Sequence, residues 1–147
     1  LVMVVKKGGK YENATKLSDF KGATITGQLN TFHYTVIDQI EGAKKDTAMD
    51  NFPAMRVALE SGKIDGYVSE RPEGVSATSA NKNFAMVEFA DGQGFKTSDE
   101  DTAIAVGLKK DSDLKDKINK ILAGISEDER KDLMDQAIKD QPASEDN

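Results

Sequence analysis

The sequence predicts an α/β lobe with a mainly parallel sheet flanked by helices. Short apolar runs alternate with helix-patterned stretches from Ala23 to Phe89, an order that implies parallel pairing in layers. The stretch Glu60 to Gly74 condenses the pattern. A helix stops at Gly62, the residue type most tolerant of a left-handed helix end. Ile64 to Val68 then reads as a short strand, with Ser69 and Glu70 at its carboxyl end. Pro72 opens the next helix, where a missing N–H costs nothing. A carboxylate is thus left where a strand meets a helix start, the edge at which open α/β sheets hold ligands.

Taken in order, Leu1 to Val5 is a short apolar strand, and Lys6-Lys-Gly-Gly-Lys10 a hinge-like turn. Lys10 to Lys16 is polar loop, with an Asn13-Ala-Thr15 sequon read as incidental. Ala23 to Leu29 alternates as a strand. Asn30 or Thr31 caps a helix to about Ile40, with Phe32, Val36, Ile37 and Ile40 on one face. A short strand near Asp46 to Met49 precedes a helix capped by Asp50 or Asn51, with Pro53 in its first turn. After Pro72 a small-residue helix runs to about Asn81, then Phe84 to Phe89 forms a strand. Asp91 to Asp101 is Gly-rich, acidic and expected to be mobile. Thr102 to Leu108 is expected as another strand. Ser112 caps a helix carrying Leu114, Ile118, Ile121 and Leu122 on one face. Ser126-Glu-Asp-Glu129 is a capping box for a last helix that fades near Asp140, before the polar tail 141–147.

At 147 residues the chain is one domain or slightly more, with 37% hydrophobic and 31% charged residues. The net charge of −6, with no basic stripe, argues against nucleic-acid binding. No apolar run approaches the ~20 residues of a membrane span. Cysteine is absent, so thiol chemistry and disulfides are excluded. One histidine without cysteine does not make an ordinary zinc site, and Asp99, Glu100 and Asp101 lack calcium-loop spacing. Phosphate loops and nucleophile elbows are missing. No cofactor is expected.

Gly62-Lys-Ile-Asp-Gly-Tyr-Val-Ser-Glu-Arg-Pro72 resembles the G-K-x-D-A-x-x-x-D-x-P signature of polar amino-acid-binding proteins. These are the two-lobed, type II extracytoplasmic receptors of ATP-binding-cassette (ABC) importers (bacterial solute-binding protein family 3). Leu17-Ser-Asp-Phe-Lys-Gly22, Thr26-Gly-Gln-Leu-Asn-Thr31 and Asp113-Leu-Lys-Asp-Lys-Ile-Asn119 are similar to further family segments, so the likeness runs from Leu1 to about Ile138. Some positions depart from it. Glu70 stands where Asp is usual, Asn30 where Gly is usual, and Thr102 where an aromatic is usual.

The resemblance implies a periplasmic binding protein type II-like lobe. Residues 1–10 would form a hinge crossing, 11–101 the second, ligand-binding lobe, and 102–140 the return crossing with carboxy-terminal helices. Those helices would pack on a first lobe expected to precede Leu1, so the chain reads as a fragment. Its partners would be an amino acid and ABC permease subunits, with a lipobox anchor lying upstream. Exposed helix faces led by Ile118, Ile121, Leu122 and Ile138 would pair two chains or fold back on the lobe.

Glu70 matches the acid that holds the ligand's α-ammonium group in the family; otherwise it is a solvated loop carboxylate or the partner of Arg71. The Thr31 and Phe32 N–H groups, at a helix start, suit a ligand carboxylate, and Thr31 also reads as a simple cap. Gln28 and Ser69 are further candidates. His33 is read as a surface helix residue, and Phe32 and Tyr34 as core or as an aromatic wall. The function expected is capture of an amino acid between two lobes, without catalysis. Two other readings stay open: a dehydratase-like enzyme on the same fold, against which no base is visible beside Glu70, and an amino-acid-sensing receptor module.

Overall fold

Four strands of the sheet run one way and the fifth runs against them. The computed structural model describes residues 1–140, and the tail expected at 141–147 lies outside them. The strands are β1 (Val2–Lys6), β2 (Thr24–Thr26), β3 (Lys44–Lys45), β4 (Gly66–Ser69) and β5 (Phe84–Val87), in the order β3-β2-β4-β1-β5. β2 pairs in parallel with β3 and β4, whereas β1 lies antiparallel between β4 and β5. The mainly parallel sheet expected from the alternation is therefore present, with β1 reversed inside it. β1 needs no helical crossover to reach its neighbours, since both pair with it head to tail. Its unbroken apolar run follows from burial on both faces.

The period of two in the strands sorts the core into two layers. Met3, Val5, Ile25, Val68 and Val87 pack with Phe20, Val36, Ile37 and Ile40 on one face of the sheet. Val4, Tyr67 and Phe84 pack with Met55, Ala58, Leu59 and Ala77 on the other. The second layer belongs to α2 (Phe52–Ser61) and α3 (Arg71–Ala80). Asn51 rather than Asp50 caps α2, its Oδ1 accepting the Ala54 N–H at 2.9 Å. Gly62 ends it at φ 79°, donating its N–H to the Ala58 and Leu59 carbonyls. Tyr11 and Phe20 stack at 5.4 Å inside the first layer, so the segment read as polar loop contributes an aromatic anchor.

Several elements differ from expectation. The helix expected to Ile40 is α1 (Phe32–Thr35), tightened into a 3-10 turn over Val36–Gln39. Thr35, Val36 and Ile37 are β-branched, and the Thr35 hydroxyl donates back to the Phe32 carbonyl at 3.0 Å. The strand expected near Asp46 to Met49 is β3 at Lys44–Lys45, with a lone bridge from Gln28 to Met49. Within 91–101, expected as loop, Asp99 begins α4 (Asp99–Thr102).

By contact the chain divides into two compact units, Leu1–Asp101 and a second beginning at Thr102. In the second unit no strand forms at Thr102 to Leu108 among the described residues. A strand needs a bonded neighbour, and Ile104 and Val106 here lie exposed. α5 spans Leu114–Leu122 with Asp113 at its cap position, while the Ser112 Oγ accepts the Leu114 N–H at 3.3 Å. α6 spans Glu127–Lys139, capped as expected by Ser126, whose Oγ accepts the Glu129 N–H at 3.2 Å.

Candidate functional site

β2 and β4 are parallel neighbours, with Thr26 opposite Tyr67, so their carboxyl ends lie side by side. β4 delivers Ser69 and then Glu70, whose extended backbone occupies the cap position of α3. β2 delivers Gly27 to Thr31 and then α1. Two features bring that chain down close to β4. Asn30 turns with φ 60°, a left-handed conformation that Asn tolerates better than most residues and Gly adopts freely. Gly27 touches the backbone of α1: a Cβ there would lie 2.8 Å from the His33 carbonyl oxygen and 2.9 Å from the Tyr34 Cα.

The consequence is a contact absent from the sequence-based expectation. His33 Nε2 lies 3.7 Å from Glu70 Oε1. The imidazole side chain is 9% exposed, the Glu70 carboxylate 44% exposed. Both ring nitrogens are buried without a hydrogen-bond partner. Burial pushes the His33 pKa below its ordinary value; the Glu70 carboxylate opposes this, and the Leu1 amino group adds to it. His33 is therefore not the surface residue expected, and a base does stand beside Glu70. The signal was present: His33, Val36, Ile37 and Ile40 follow the i, i+3, i+4, i+7 spacing of a buried helical face.

The remaining candidates divide by what their polar atoms already do. Thr31 has the cap backbone, yet its Oγ1 donates to the Gln28 carbonyl at 2.8 Å instead of capping. Phe32 is half-buried against the first core layer, its ring 4.4 Å from that of His33. Gln28 Nε2 donates to the Asp50 carbonyl at 3.1 Å, tying the end of β2 to the approach of α2. Ser69 is fully buried, and its hydroxyl donates to the Glu70 carbonyl at 3.2 Å. Arg71 turns away from Glu70 to bind Glu88, Nε to Oε1, at 2.9 Å. Glu70 thus keeps a half-exposed anionic head near a helix start whose first N–H groups have no partner within the helix. Such a pair of poles suits a small zwitterion. Among the described residues no cluster of three or more His, Cys, Asp or Glu side chains is placed to hold a metal, and no helix is long and apolar enough to cross a membrane.

Neither a protein-family model nor a curated protein matches the chain. Solved structures do. An amino acid ABC transporter substrate-binding protein from Streptococcus pneumoniae, bound to L-arginine, aligns over 94% of this chain at 24% identity and a TM-score of 0.73. The chain has the fold of the amino-acid ABC substrate-binding proteins. An ancestral arginine-binding protein bound to arginine aligns over 93% of this chain at 27% identity, with a TM-score of 0.59. Domain 2 from TmArgBP aligns over 57% of this chain and 89% of its own length, at 21% identity and a TM-score of 0.51. The chain spans 56% of the length of the first structure and 57% of the second.

Proposed function

We propose that the chain is the second lobe, with hinge crossings and carboxy-terminal helices, of an extracytoplasmic receptor that captures an amino acid for an ABC importer. The carrying observation is Glu70: a half-exposed carboxylate at the carboxyl end of β4, facing the start of α1. It holds the ligand's ammonium group by a charge-assisted hydrogen bond. The Thr31 and Phe32 N–H groups receive the carboxylate, and Gln28 and Ser69 support the backbone that presents them. Residues 1–10 and the crossing from 102 form the hinge, and 11–101 the lobe. Closure over the ligand presents the receptor to its permease subunits.

L-arginine is the first ligand to test, because two structurally similar proteins bind it. No bond is made or broken in this reading. His33, the one base beside Glu70, has both ring nitrogens sealed from solvent, so a substrate atom does not reach it. Isotope-labelled chain titrated with each of the twenty amino acids tests the proposal. Amide shifts confined to Thr31, Phe32 and Glu70 are the expected result. No response to any of them, or turnover of one, overturns it.

A further inference from the structure

A buried imidazole with no partner on either nitrogen carries an uncompensated desolvation cost, and native structures keep few such groups without a use for them. In His33 the nearest charged acceptor is Glu70 Oε1 at 3.7 Å, beyond hydrogen-bond length and within ion-pair range. The ring approaches Glu70 from the protein side, since it is 9% exposed while the carboxylate is 44% exposed. Its position is set by backbone rather than by its own side chain. Gly27 abuts the His33 main chain, and Asn30 makes the left-handed turn that starts α1.

We propose that His33 is a positioning residue of the ammonium site, its ring holding one oxygen of Glu70 and leaving the other for the ligand. The inference rests on the reading of Glu70 given above and adds a residue to it. A neutral ring packs behind Glu70 at 3.7 Å without neutralising it, and the carboxylate keeps its full charge for an ammonium group. A protonated ring neutralises that charge from behind and competes with the incoming cation. The charged groups acting on the ring are the Glu70 carboxylate, at the start of α3, and the Leu1 amino group, before β1. Burial outweighs the carboxylate and keeps the ring neutral near pH 7. Ligand ammonium at Glu70 disfavours ring protonation further. By linkage, uptake of the ligand and uptake of a proton by His33 therefore oppose each other.

The chain has a single histidine, so its imidazole resonances need no assignment by mutation. The test follows them by pH titration in the wild type and in Glu70→Gln, with and without an equimolar mixture of the standard amino acids other than histidine. Glu70→Gln should lower the His33 midpoint, because the opposing carboxylate charge is gone. The mixture should lower it in the wild type and leave it unmoved in Glu70→Gln. Affinity in the wild type should fall as pH is lowered through the His33 midpoint found in the same titration. His33→Gln, or His33→Asn if that variant fails to fold, should flatten this profile. Amino acids that bind without moving the His33 midpoint overturn the inference and leave the proposed function standing. A midpoint unmoved by Glu70→Gln also overturns it. A midpoint that responds to Glu70→Gln while no amino acid binds overturns the proposed function, and the positioning role falls with it.

Discussion

The Arg56 guanidinium, on α2, clasps the Glu73 carboxylate in the first turn of α3. Nε lies 3.1 Å and Nη2 2.9 Å from Oε1, and Nη2 lies 2.9 Å from Oε2. The Tyr67 hydroxyl, from β4, adds a bond to Oε1 at 3.2 Å. Glu73 lies one helical turn beyond Glu70, so this clasp anchors the helix start that presents the candidate ligand-binding acid. Both partners are largely buried, and removing one strands the other's charge. Arg56→Ala should cost about 2–3 kcal/mol. Urea unfolding followed by circular dichroism is the measurement, as the chain has no tryptophan.

Glu70→Gln keeps the shape of the side chain and removes its charge. Binding of the amino acid should weaken by roughly 1.5–3 kcal/mol, the range for hydrogen bonds to charged groups. Calorimetry on a variant that unfolds at the wild-type urea midpoint checks it. An unchanged affinity would remove Glu70 from the site.

Asn30 holds φ 60° between β2 and α1. Asn30→Gly should leave stability within a few tenths of a kcal/mol, whereas Asn30→Val should cost about 1–2 kcal/mol for left-handed backbone strain. Thermal melts of both variants, compared with the wild type, decide the point.

Gly27→Ala places a methyl group against main-chain atoms of His33 and Tyr34 that have no rotamer to escape through. Overpacking of this kind costs about 1–3 kcal/mol. The displacement also shifts the His33 main chain, which carries the ring beside Glu70. The His33 ring midpoint should therefore change as well as the melting temperature.

Acid should destabilise the fold through His33. Its folded pKa is lowered by burial, so below the ordinary 6.5 the unfolded chain takes up the proton first. The stability contributed by the neutral ring is complete above that value and lost as pH falls through the lowered folded pKa. His33→Phe removes the titrating group. Its urea midpoint should be flatter across this window than that of the wild type, and parallel curves would exclude His33 as the source.

How far the site was legible depends on whether its signals are local. Gly62, Pro72, Asn51 and Ser126 act within one turn of their own helices, and their roles can be read from neighbouring residues. Glu70 was visible because a strand end and a helix start meet in consecutive residues. His33 shares the spacing of Val36, Ile37 and Ile40, but a lone polar residue in an apolar stripe does not announce what it faces. The close approach at Gly27 and the Glu70 contact come from pairing β2 with β4, a relationship between distant segments. The 102–108 run shows the opposite failure: its alternation suits a strand, and among the described residues no strand pairs with it.

The reversed β1 has a consequence for how the lobe assembles on the ribosome. Val2–Lys6 precedes the rest of the lobe yet, among the described residues, pairs with residues 66–69 and 84–87, so its backbone groups wait for most of the lobe to be synthesised. Until Ser69 is available an apolar strand stands with two unpaired edges, and until Val87 with one, a ready template for association with other nascent chains. β2, β3 and β4, by contrast, join through nearer contacts and can form before it. Insertion of β1 is thus a late, high-contact-order step, and such steps fold slowly and expose the chain to aggregation.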